Sequence, residues 1–484
     1  MALTLAVIVL PLMGAGITAL LAARWRAAAV LAAATATLAA AVGLAGGVLE
    51  GGRAELLLPG PGSLVGVLIA DGLSSGLVLV STTVTLGTAG FALLHRAGPG
   101  GLRPAFWPLS LALLAGLHGL FLAGDLLTAY LMLELVAVAG AAMVAWSGGR
   151  DRLAAGTRYF YAELVASVTF LVGTASVWSA AGTVVIAELP GQLGGSATGR
   201  LGLGLLTLGL LLKVPVVPLH FWLPAAHTLA PSAASPLLSA LVVKSAFVVL
   251  LRLWASGVPE LATTALAQLL GTLGATAVVW GGVTALRAER VKQVIAYSTV
   301  AQLGLLLVAV PMVMAGSAEA WVGGVFHAIA HALPKAAVLM AVALLAVSMG
   351  ADTVDRLDGA AVRRPLAAFT VGVGGLSLIG LPPTGGFVAK WYLMVASITT
   401  GQWWWAVTIV IGSLLTAAYL ARLLQRCFGS ASTTGTTAPL PTERRGTDVV
   451  ALGLASSALL LGLYPNRLLG LLEVGAPLGA ITHG

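Results

Sequence analysis

Three ionisable side chains follow one another at intervals of four residues in the apolar segment VFHAIAHALPKAAVLMAVALL, residues 325–345. They are His327, His331 and Lys335, and at this spacing they lie on one face of a helix. Histidine changes charge near neutral pH and has two ring nitrogens, so such a row can pass protons. Pro334 stands beside the row and loosens the helix there. The segment therefore predicts a proton ladder inside an apolar helix.

Two other interpretations of the histidine pair remain open. Histidines at positions i and i+4 can bind a metal ion or haem, which would make the chain an intramembrane enzyme. The glutamate of an HExxH motif is missing, however, and no third carboxylate or cysteine ligand is evident. The histidines could instead make only structural hydrogen bonds. We predict that the chain binds no metal and no cofactor.

Four more ionisable side chains interrupt apolar segments, namely Glu134, Lys213, Lys244 and Lys390. A charge at the centre of a bilayer costs at least about 2.5 kcal/mol, so it is usually retained for a function. Glu134 follows the expected helix N-cap, Asp125, by nine residues, which places it about 13 Å along the helix. Structural ion pairs, and for Lys213 a snorkelling side chain, are the competing interpretations.

Lys213 and Lys390 each lie close to residues that break a helix. Proline removes a backbone N–H and frees a carbonyl one turn earlier. A broken helix at membrane depth is tolerated where it lines a cavity or is buried in protein. A lysine beside such a break therefore has water or carbonyl oxygens as partners. The residues that predict the two breaks are Pro215, Pro218, Pro382, Pro383, Gly385 and Gly386.

The distribution of lysine and arginine supports proton transfer. Only five of the 25 basic residues are lysines, and four of these five lie inside apolar runs. Arginine keeps its proton in proteins, whereas a buried lysine can release it. The chain thus places arginine where a permanent charge suffices and lysine almost only within the membrane. We interpret the four buried lysines as groups that must release protons.

The composition excludes soluble classes of protein. The 484 residues are 59% apolar and 9% charged, against about 25% charged residues in soluble domains. The single cysteine, Cys427, excludes an internal disulfide and a cysteine-based metal cluster. The net charge of +8 reflects topology signals, so no nucleic-acid partner is expected. What remains is an all-α polytopic membrane protein embedded in the lipid bilayer.

About fourteen apolar runs are each long enough to cross a bilayer as a helix. Between the second and third runs, the stretch 48–66 is too broken to span and predicts an external turn or hairpin. The polar stretch 427–446 predicts a flexible cytoplasmic loop. The runs lie near 2–23, 27–47, 69–94, 105–123, 126–147, 157–180, 200–228, 235–256, 262–286, 294–315, 319–348, 366–397, 403–426 and 447–470.

Basic residues sort strongly between alternate connections of this segmentation. Seventeen fall on one side and four on the other, with four lysines left inside spans. The positive-inside rule then places both termini on the non-cytoplasmic side of a bacterial or archaeal plasma membrane. The four on the minority side are Arg53, Arg200, Arg252 and Arg467.

The two broken runs, the seventh and the twelfth, are five spans apart. Corresponding broken segments in two halves indicate an internally duplicated transporter, and an odd separation makes the second copy inverted. We predict four parts: helices 1–3 in residues 1–104, a first five-helix repeat in 105–256, a second, inverted repeat in 257–426, and a cytoplasmic loop with helix 14 in 427–484.

At these residues the sequence resembles the antiporter-like subunits shared by respiratory complex I, Mrp-type cation/proton antiporters and membrane-bound hydrogenases. The motifs that carry the resemblance are Glu134 in the fifth span, Lys213 followed by PLHFWLP, APS before Lys244, AYSTVAQLG (296–304), HxxxHxxxK ending at Lys335, and GLPPTGGFVAK ending at Lys390.

The resemblance implies fourteen helices, two inverted five-helix repeats and broken seventh and twelfth helices. It also implies a role for each site residue in lateral proton movement at the membrane midplane. Glu134 and Lys213 would be the coupled pair of the first half-channel, and Lys244 the central relay. His327, His331 and Lys335 would link into the second half-channel, and Lys390 would be its terminal gate.

The combination of motifs looks most like the Mrp D-type subunit, with the M- and N-type subunits of complex I and a hydrogenase subunit as alternatives. Glu163 is not accounted for by the resemblance, and we predict that it pairs with Arg158 at the cytoplasmic edge. The predicted function is proton translocation within a multi-subunit complex, by a transporter subunit rather than a catalyst. Its partners would be other membrane subunits and H⁺, with Na⁺ or K⁺ left open, and a scaffold subunit without conduction is the further alternative.

Overall fold

The computed structural model describes residues 1–60, 65–95, 103–261, 263–429 and 445–477. Most of these residues are helical, because a backbone inside a bilayer must satisfy its own hydrogen bonds. The elements are α1 (Ala2–Leu20), α2 (Ala23–Gly51), β1 (Ala54–Pro59), β2 (Val65–Ala70), α3 (Gly72–Leu94), α4 (Phe106–Leu122), α5 (Leu126–Ala145), α6 (Arg150–Ala181), α7 (Ala197–Lys213), α8 (Leu223–Leu229), α9 (Ala234–Leu237), α10 (Val243–Arg252), α11 (Thr264–Arg287), α12 (Val291–Met314), α13 (Ala318–Met349), α14 (Ala360–Arg363), α15 (Pro365–Ile379), α16 (Gly385–Thr399), α17 (Trp404–Phe428), α18 (Gly446–Leu463) and α19 (Asn466–Glu473).

The helices confirm the predicted all-α polytopic architecture. Within the described ranges, eleven helical stretches are long and apolar enough to cross a membrane, and α4 and α15 are shorter apolar helices. The predicted seventh run consists of α7, a 3-10 turn at Leu219–Trp222 and α8. The predicted twelfth run consists of α15 and α16, separated by a break. Both predicted breaks are therefore present.

Two helices differ from their predicted bounds in ways that matter. α6 begins at Arg150 rather than near 157, directly after Gly148 and Gly149, which both have positive φ. The prediction missed the first residues of α6 because their charged side chains are typical of a loop, although a helix can extend beyond the bilayer surface. α18 ends at Leu463 rather than near 470, since Pro465 separates it from α19.

The segment predicted as a turn or hairpin is an antiparallel hairpin of β1 and β2. The backbone N–H of Val67 in β2 donates to Asp125 Oδ2 at 2.7 Å, which ties the hairpin to the start of α5. Asp125 is the N-cap of α5, as predicted, and its Oδ1 accepts from the Thr128 N–H at 2.7 Å. The predicted loop 427–446 lies mostly in 430–444, outside the described residues, and α17 continues to Phe428.

The centre of the bundle is formed by α10, α12 and α13. Nearly all residues of these helices are buried, whereas α1, α2, α6 and α17 present long apolar faces outward. Outer helices with apolar faces suit lipid or partner helices, and a helix buried all round forms a core. The predicted proton-transfer residues on α10 and α13 are therefore in the protein interior and away from lipid.

Candidate functional site

A buried ion pair joins α6 to the end of α7. The Nζ of Lys213 donates to Glu163 Oε2 at 2.7 Å, and their side chains are only 3% and 7% exposed. The predicted pairing of Glu163 with Arg158 is wrong. Because α6 begins at Arg150, Glu163 lies about 20 Å along the helix, deep in the bundle. Arg158 is exposed and, five residues earlier, does not share the helix face of Glu163.

Glu134 in α5 lies at mid-helix, as predicted, but is only half-buried. Its Oε1 is buried and has no hydrogen-bond partner among the described residues. The resemblance pairs Glu134 with Lys213, yet the lysine contacts Glu163 in this structure. The first half of the site thus contains two carboxylates and one ammonium group.

The break after Lys213 is stabilised by aromatic contacts. α7 ends at Lys213, and the chain continues through Pro215 and Pro218 before the 3-10 turn at Leu219–Trp222. The Trp222 Nε1–H donates to the carbonyl of Leu212 at 3.2 Å, on the other side of the break. Tyr159 of α6 stacks on Trp222, with ring centroids 4.7 Å apart. These contacts hold the lysine end of α7 against α6.

Lys244 lies directly after a π-helical segment, Leu238–Val242, at the start of α10. Such a bulge shifts the backbone hydrogen bonds and frees carbonyl oxygens, and it is frequent at functional sites. The buried Nζ of Lys244 donates back to the carbonyl of Ala240 within this segment. The lysine therefore finds a neutral oxygen on its own helix, supplied by the bulge.

The predicted row on α13 is present, and its three side chains are buried. The ring centroids of His327 and His331 are 5.9 Å apart. Both ring nitrogens of His327 and Nε2 of His331 are buried without a hydrogen-bond partner in the part of the chain that the structure describes. Lys335 donates to the carbonyl of Ile295 at 3.0 Å and to Ser298 Oγ, both on α12. Buried imidazole nitrogens need partners, and bridging water molecules supply them in such sites.

The alternative interpretation of this histidine pair as a metal or haem site gains no support from the geometry. In the described ranges, no three His, Cys, Asp or Glu side chains converge as a metal site requires. The group one turn beyond His331 is Lys335, whose amine donates to oxygen atoms on α12. The pair therefore continues into a lysine rather than into a third ligand.

Lys390 lies in α16, immediately beyond the second break. Its Nζ donates to the carbonyls of Leu378 at 3.1 Å and Ile379 at 2.7 Å, and to Ser413 Oγ at 3.0 Å. These two carbonyls end α15, where the last turn of a helix leaves its acceptors unpaired. The break itself thus provides the oxygens that hold the lysine, as predicted from the proline and glycine residues.

Close backbone approach explains the glycines of the second break. A Cβ on Gly386 would lie 1.9 Å from the carbonyl oxygen of Ser377, and one on Gly385 would lie 3.2 Å from Ala330 Cβ. Pro382 and Pro383 stand in the turn between α15 and α16, and Thr384 caps α16 by accepting from the Phe387 N–H at 3.3 Å. The prediction that Gly385 and Gly386 break the helix is wrong, because α15 already ends at Ile379 with Gly380 as its C-cap, and both glycines lie in the first turn of α16, where close packing requires them.

Several polar residues of the site were not among the predicted ones. On α12, Ser298 accepts from Lys335, Thr299 bonds to Ser239 at 2.8 Å, and Gln302 donates to the carbonyl of Leu378 at 3.3 Å. His227 of α8 is a further buried polar side chain. The signal in the sequence was present, since three polar residues within five positions interrupt an otherwise apolar helix.

A family profile and individual relatives match this chain. The family described as NADH:quinone oxidoreductase/Mrp antiporter, transmembrane, matches residues 123–416. The NADH-quinone oxidoreductase subunit N of Desulforudis audaxviator is 32% identical over 412 residues, with 82% of this chain and 80% of the relative covered. The D-type Na(+)/H(+) antiporter subunit of Bacillus subtilis is 27% identical over 369 residues, with 75% and 73% covered.

A solved structure shares the fold over nearly its whole length. A chain in the structure of the Mrp complex from a Dietzia species has a TM-score of 0.88 at 25% identity, with 99% of this chain and 96% of that chain covered. The sequence matches do not specifically favour a D-type subunit, which the motifs had predicted, because the identity to subunit N is higher.

Proposed function

The chain belongs to the NADH:quinone oxidoreductase/Mrp antiporter family of membrane subunits, and on that premise we propose that it conducts protons within a multi-subunit ion-translocating complex. The route would follow the buried groups of α5, α7, α10, α13 and α16, at the membrane midplane. Its carriers would be Glu134, Lys213, Lys244, His327, His331, Lys335 and Lys390.

The observation that carries this proposal is the set of partners around three of the buried lysines. Lys244, Lys335 and Lys390 donate only to carbonyl or hydroxyl oxygens in the contacts that the structure describes. A structural ion pair would give each ammonium group a carboxylate, because an unpaired buried charge is costly. Neutral oxygens accept hydrogen bonds from a lysine with or without its extra proton. This arrangement suits groups that gain and lose protons.

The position of Glu134 is an argument that this chain assembles with another membrane subunit. It shares the outward face of α5 with Leu131 and Val138, which are 53% and 50% exposed. A carboxylate at mid-helix is costly against lipid, so a partner helix is the better cover for this face. The relatives are likewise named as subunits, and the solved relative is part of a complex.

The parent complex is of the NADH-quinone oxidoreductase type or of the Mrp type. Sequence identity is higher to subunit N, whereas the Mrp chain shares the fold closely. Affinity purification from the native membrane discriminates the two. A peripheral arm with iron–sulfur clusters in the eluate would support the first type, and small membrane subunits alone would support the second.

The two-repeat organisation and the membrane orientation belong to the same proposal. Lys213 and Lys390 each lie at a helix break, one in 105–256 and one in 257–426, as inverted repeats require. Both termini would then face away from the cytoplasm. Labelling of single cysteines placed at residues 2 and 476, in a Cys427→Ser background, would report on which side each terminus lies.

The function is tested by transport in the assembled complex, reconstituted in liposomes with a pH-sensitive dye. We expect Lys213→Ala and Lys390→Ala to lower proton-coupled transport by about a hundredfold, the scale of positioned proton transfer. Lys292→Ala is the matched control. Lys292 also donates to a backbone carbonyl, that of Ala230 at 2.8 Å, but it stands at the start of α12 and outside the proposed route. Normal assembly with unchanged transport in both lysine variants would instead favour a scaffold subunit.

A further inference from the structure

Three hydroxyl side chains follow one another along α17, a helix that carries none of the predicted site residues. They are Ser413, Thr416 and Tyr419, at intervals of three residues, and we call them the α17 hydroxyl row. Ser413 Oγ accepts from Lys390 Nζ at 3.0 Å. Thr416 and Tyr419 are buried. The α17 hydroxyl row therefore begins at a buried lysine and continues along the buried side of the helix.

The packing of α17 on α12 determines which residue lies opposite Tyr419. A Cβ on Gly412 of α17 would lie 3.6 Å from Leu305 Cδ2 of α12. One turn further along α17, Thr416 Oγ1 accepts from Gln302 Nε2 of α12 at 3.3 Å. The residue numbers rise along α17 and fall along α12, so the two helices are antiparallel.

One more turn in this register brings Ser298 of α12 level with Tyr419 of α17. Ser298 lies four residues before Gln302, and Tyr419 lies three residues after Thr416, the two groups that are hydrogen-bonded. Ser298 Oγ accepts from Lys335 Nζ. The far end of the α17 hydroxyl row therefore lies beside the partner of a second buried lysine.

The hydrogen bonds of Gln302 leave one acceptor unused within a helical turn of Tyr419. Gln302 Nε2 donates to Thr416 Oγ1 and to the carbonyl of Leu378, each at 3.3 Å. A carbonyl can only accept, so the amide nitrogen is fixed on this side and Oε1 has to accept from another group. Gln302 Oε1 and the Tyr419 hydroxyl are both buried without a partner among the described residues. Buried polar atoms are nearly always hydrogen-bonded, so this acceptor and this donor are complementary, directly or through a water molecule.

We propose that α17 carries a branch of the proton route between Lys335 and Lys390, with the Tyr419 hydroxyl as its central group. The inference rests on the proposed function and adds a helix to its route, beside the histidines of α13. Lys335 gives a proton to Ser298 Oγ, and the hydroxyl proton of Ser298 passes to Tyr419 Oη. Each further hydroxyl accepts one proton and donates its own, with water molecules between groups a helical turn apart. Lys335 thus becomes neutral, Lys390 becomes charged, and every hydroxyl keeps one hydrogen.

The surroundings of Tyr419 fit this role better than that of a residue that only fills space. Its side chain is 1% exposed, and a phenylalanine would fill the same space without the cost of burying a hydroxyl. Thr408 of the same helix shows the ordinary structural arrangement, because its hydroxyl bonds to the carbonyl of Trp404 at 3.2 Å, one turn earlier. A tyrosine hydroxyl stands too far from its own backbone for such a bond, so that of Tyr419 has to serve groups on other helices.

The test measures proton-coupled transport by the assembled complex in proteoliposomes. Tyr419→Phe keeps the ring and removes only the hydroxyl, so the variant should assemble. We expect transport to fall by about tenfold, less than for full loss of positioned proton transfer, because the histidines of α13 remain as a second route. Thr408→Val is the matched control, since it removes a hydroxyl of α17 outside the row, and it should retain wild-type transport.

The solvent isotope effect separates proton transfer from packing. The rate of transport in H₂O is divided by that in D₂O, for the wild type and for Tyr419→Phe. We expect a larger ratio in the variant, because proton transfer then limits the rate. A packing defect would lower transport and leave the ratio unchanged, and that result would overturn the inference.

Failure of the branch and failure of the proposed function give different results. Unchanged transport in Tyr419→Phe, together with loss of transport in Lys390→Ala, would overturn the branch alone. Unchanged transport in Lys390→Ala would overturn the proposed function.

Should Tyr419→Phe not assemble, cryo-electron microscopy of the wild-type complex still decides. We expect Tyr419 Oη to bond to Gln302 Oε1 or to share a water molecule with it. A map in which the hydroxyl contacts neither Gln302, nor Ser298, nor a water molecule would overturn the inference.

Discussion

Lys390 and Gln302 donate to the same carbonyl oxygen, that of Leu378, at 3.1 and 3.3 Å. The two side chains come from α16 and α12, and the oxygen they share lies in the last turn of α15. Gln302 also donates to Thr416 Oγ1 of α17 at 3.3 Å. A single buried carbonyl at the end of α15 thus connects Lys390 of α16 to the central helix α12.

This shared oxygen predicts that Gln302→Met lowers transport without preventing assembly. Methionine fills a similar volume but leaves the carbonyl to Lys390 alone. The lost hydrogen bond is worth about 1 kcal/mol, which corresponds to a transport rate about fivefold lower. Proteoliposome transport is the measurement. The control is Gln268→Met, which removes a 2.8 Å hydrogen bond to Gln402 at the periphery. Equal transport in the two variants would contradict a role for Gln302 at the lysine.

The second break depends on the absence of a side chain at Gly386. A Cβ there would lie 1.9 Å from the carbonyl oxygen of Ser377, so Gly386→Ala forces α15 and α16 apart. We expect the free energy of unfolding to fall by about 1–3 kcal/mol, as in other overpacked cores, and the yield of assembled complex to be lower. Gly372→Ala in α15 is the control, since a Cβ there meets nothing within 4 Å. Its expected effect on the melting temperature is nil or slightly positive.

A second buried ion pair, Asp71 with Arg252, predicts a large effect on stability. Arg252 donates to both carboxylate oxygens of Asp71, at 2.8 and 2.9 Å, and to the carbonyl of Phe121 at 3.2 Å. Arg252→Ala leaves the buried carboxylate unpaired, which typically costs about 3–5 kcal/mol. Thermal denaturation of the purified complex should show a melting temperature several degrees lower.

The exposed pair Arg53–Glu55, 2.5 Å apart, provides the contrast. Its side chains are 39% and 48% exposed, so Arg53→Ala should cost less than about 1 kcal/mol. Similar melting temperatures for Arg252→Ala and Arg53→Ala would contradict the importance of burial.

Much of this site could be predicted from the sequence, because depth in the membrane follows from apolar runs. Lys213 and Lys390 were placed beside breaks by prolines and glycines, and the structure shows them there. The counter-ion of Lys213 could not be predicted, since it depends on where α6 begins. The predicted start of α6 was seven residues too late, so Glu163 was predicted at the membrane edge, whereas the structure has it in the interior.

Hydrogen bonds between helices were equally beyond pattern reading. Ser298 and Gln302 are separated by four residues, which indicates one face of α12 and no more. That this face meets both Lys335 and the end of α15 follows only from how the helices pack. The family resemblance is confirmed, yet it supplied Glu134 as the partner of Lys213, where this chain has Glu163.

The most direct test of proton release is Lys335→Arg. Lys335 is fully buried, and its amine donates to Ser298 Oγ and to the carbonyl of Ile295 on α12. A guanidinium keeps the positive charge and the ability to donate, but it does not release its proton. If the lysine serves only as a fixed charge, Lys335→Arg should transport protons normally. If it relays them, we expect a loss of about a hundredfold or more.

Two further variants separate loss of relay from poor packing. Lys335→Met is smaller and neutral, so it fits the buried site even where the larger arginine does not. We expect it to assemble and yet to lack transport, as the arginine variant does. Lys292→Arg changes a part-buried lysine outside the row and keeps both the charge and a donor for the carbonyl of Ala230, so transport should stay within about twofold. Wild-type transport in Lys335→Arg, with normal assembly, would show that position 335 needs a charge and no exchangeable proton.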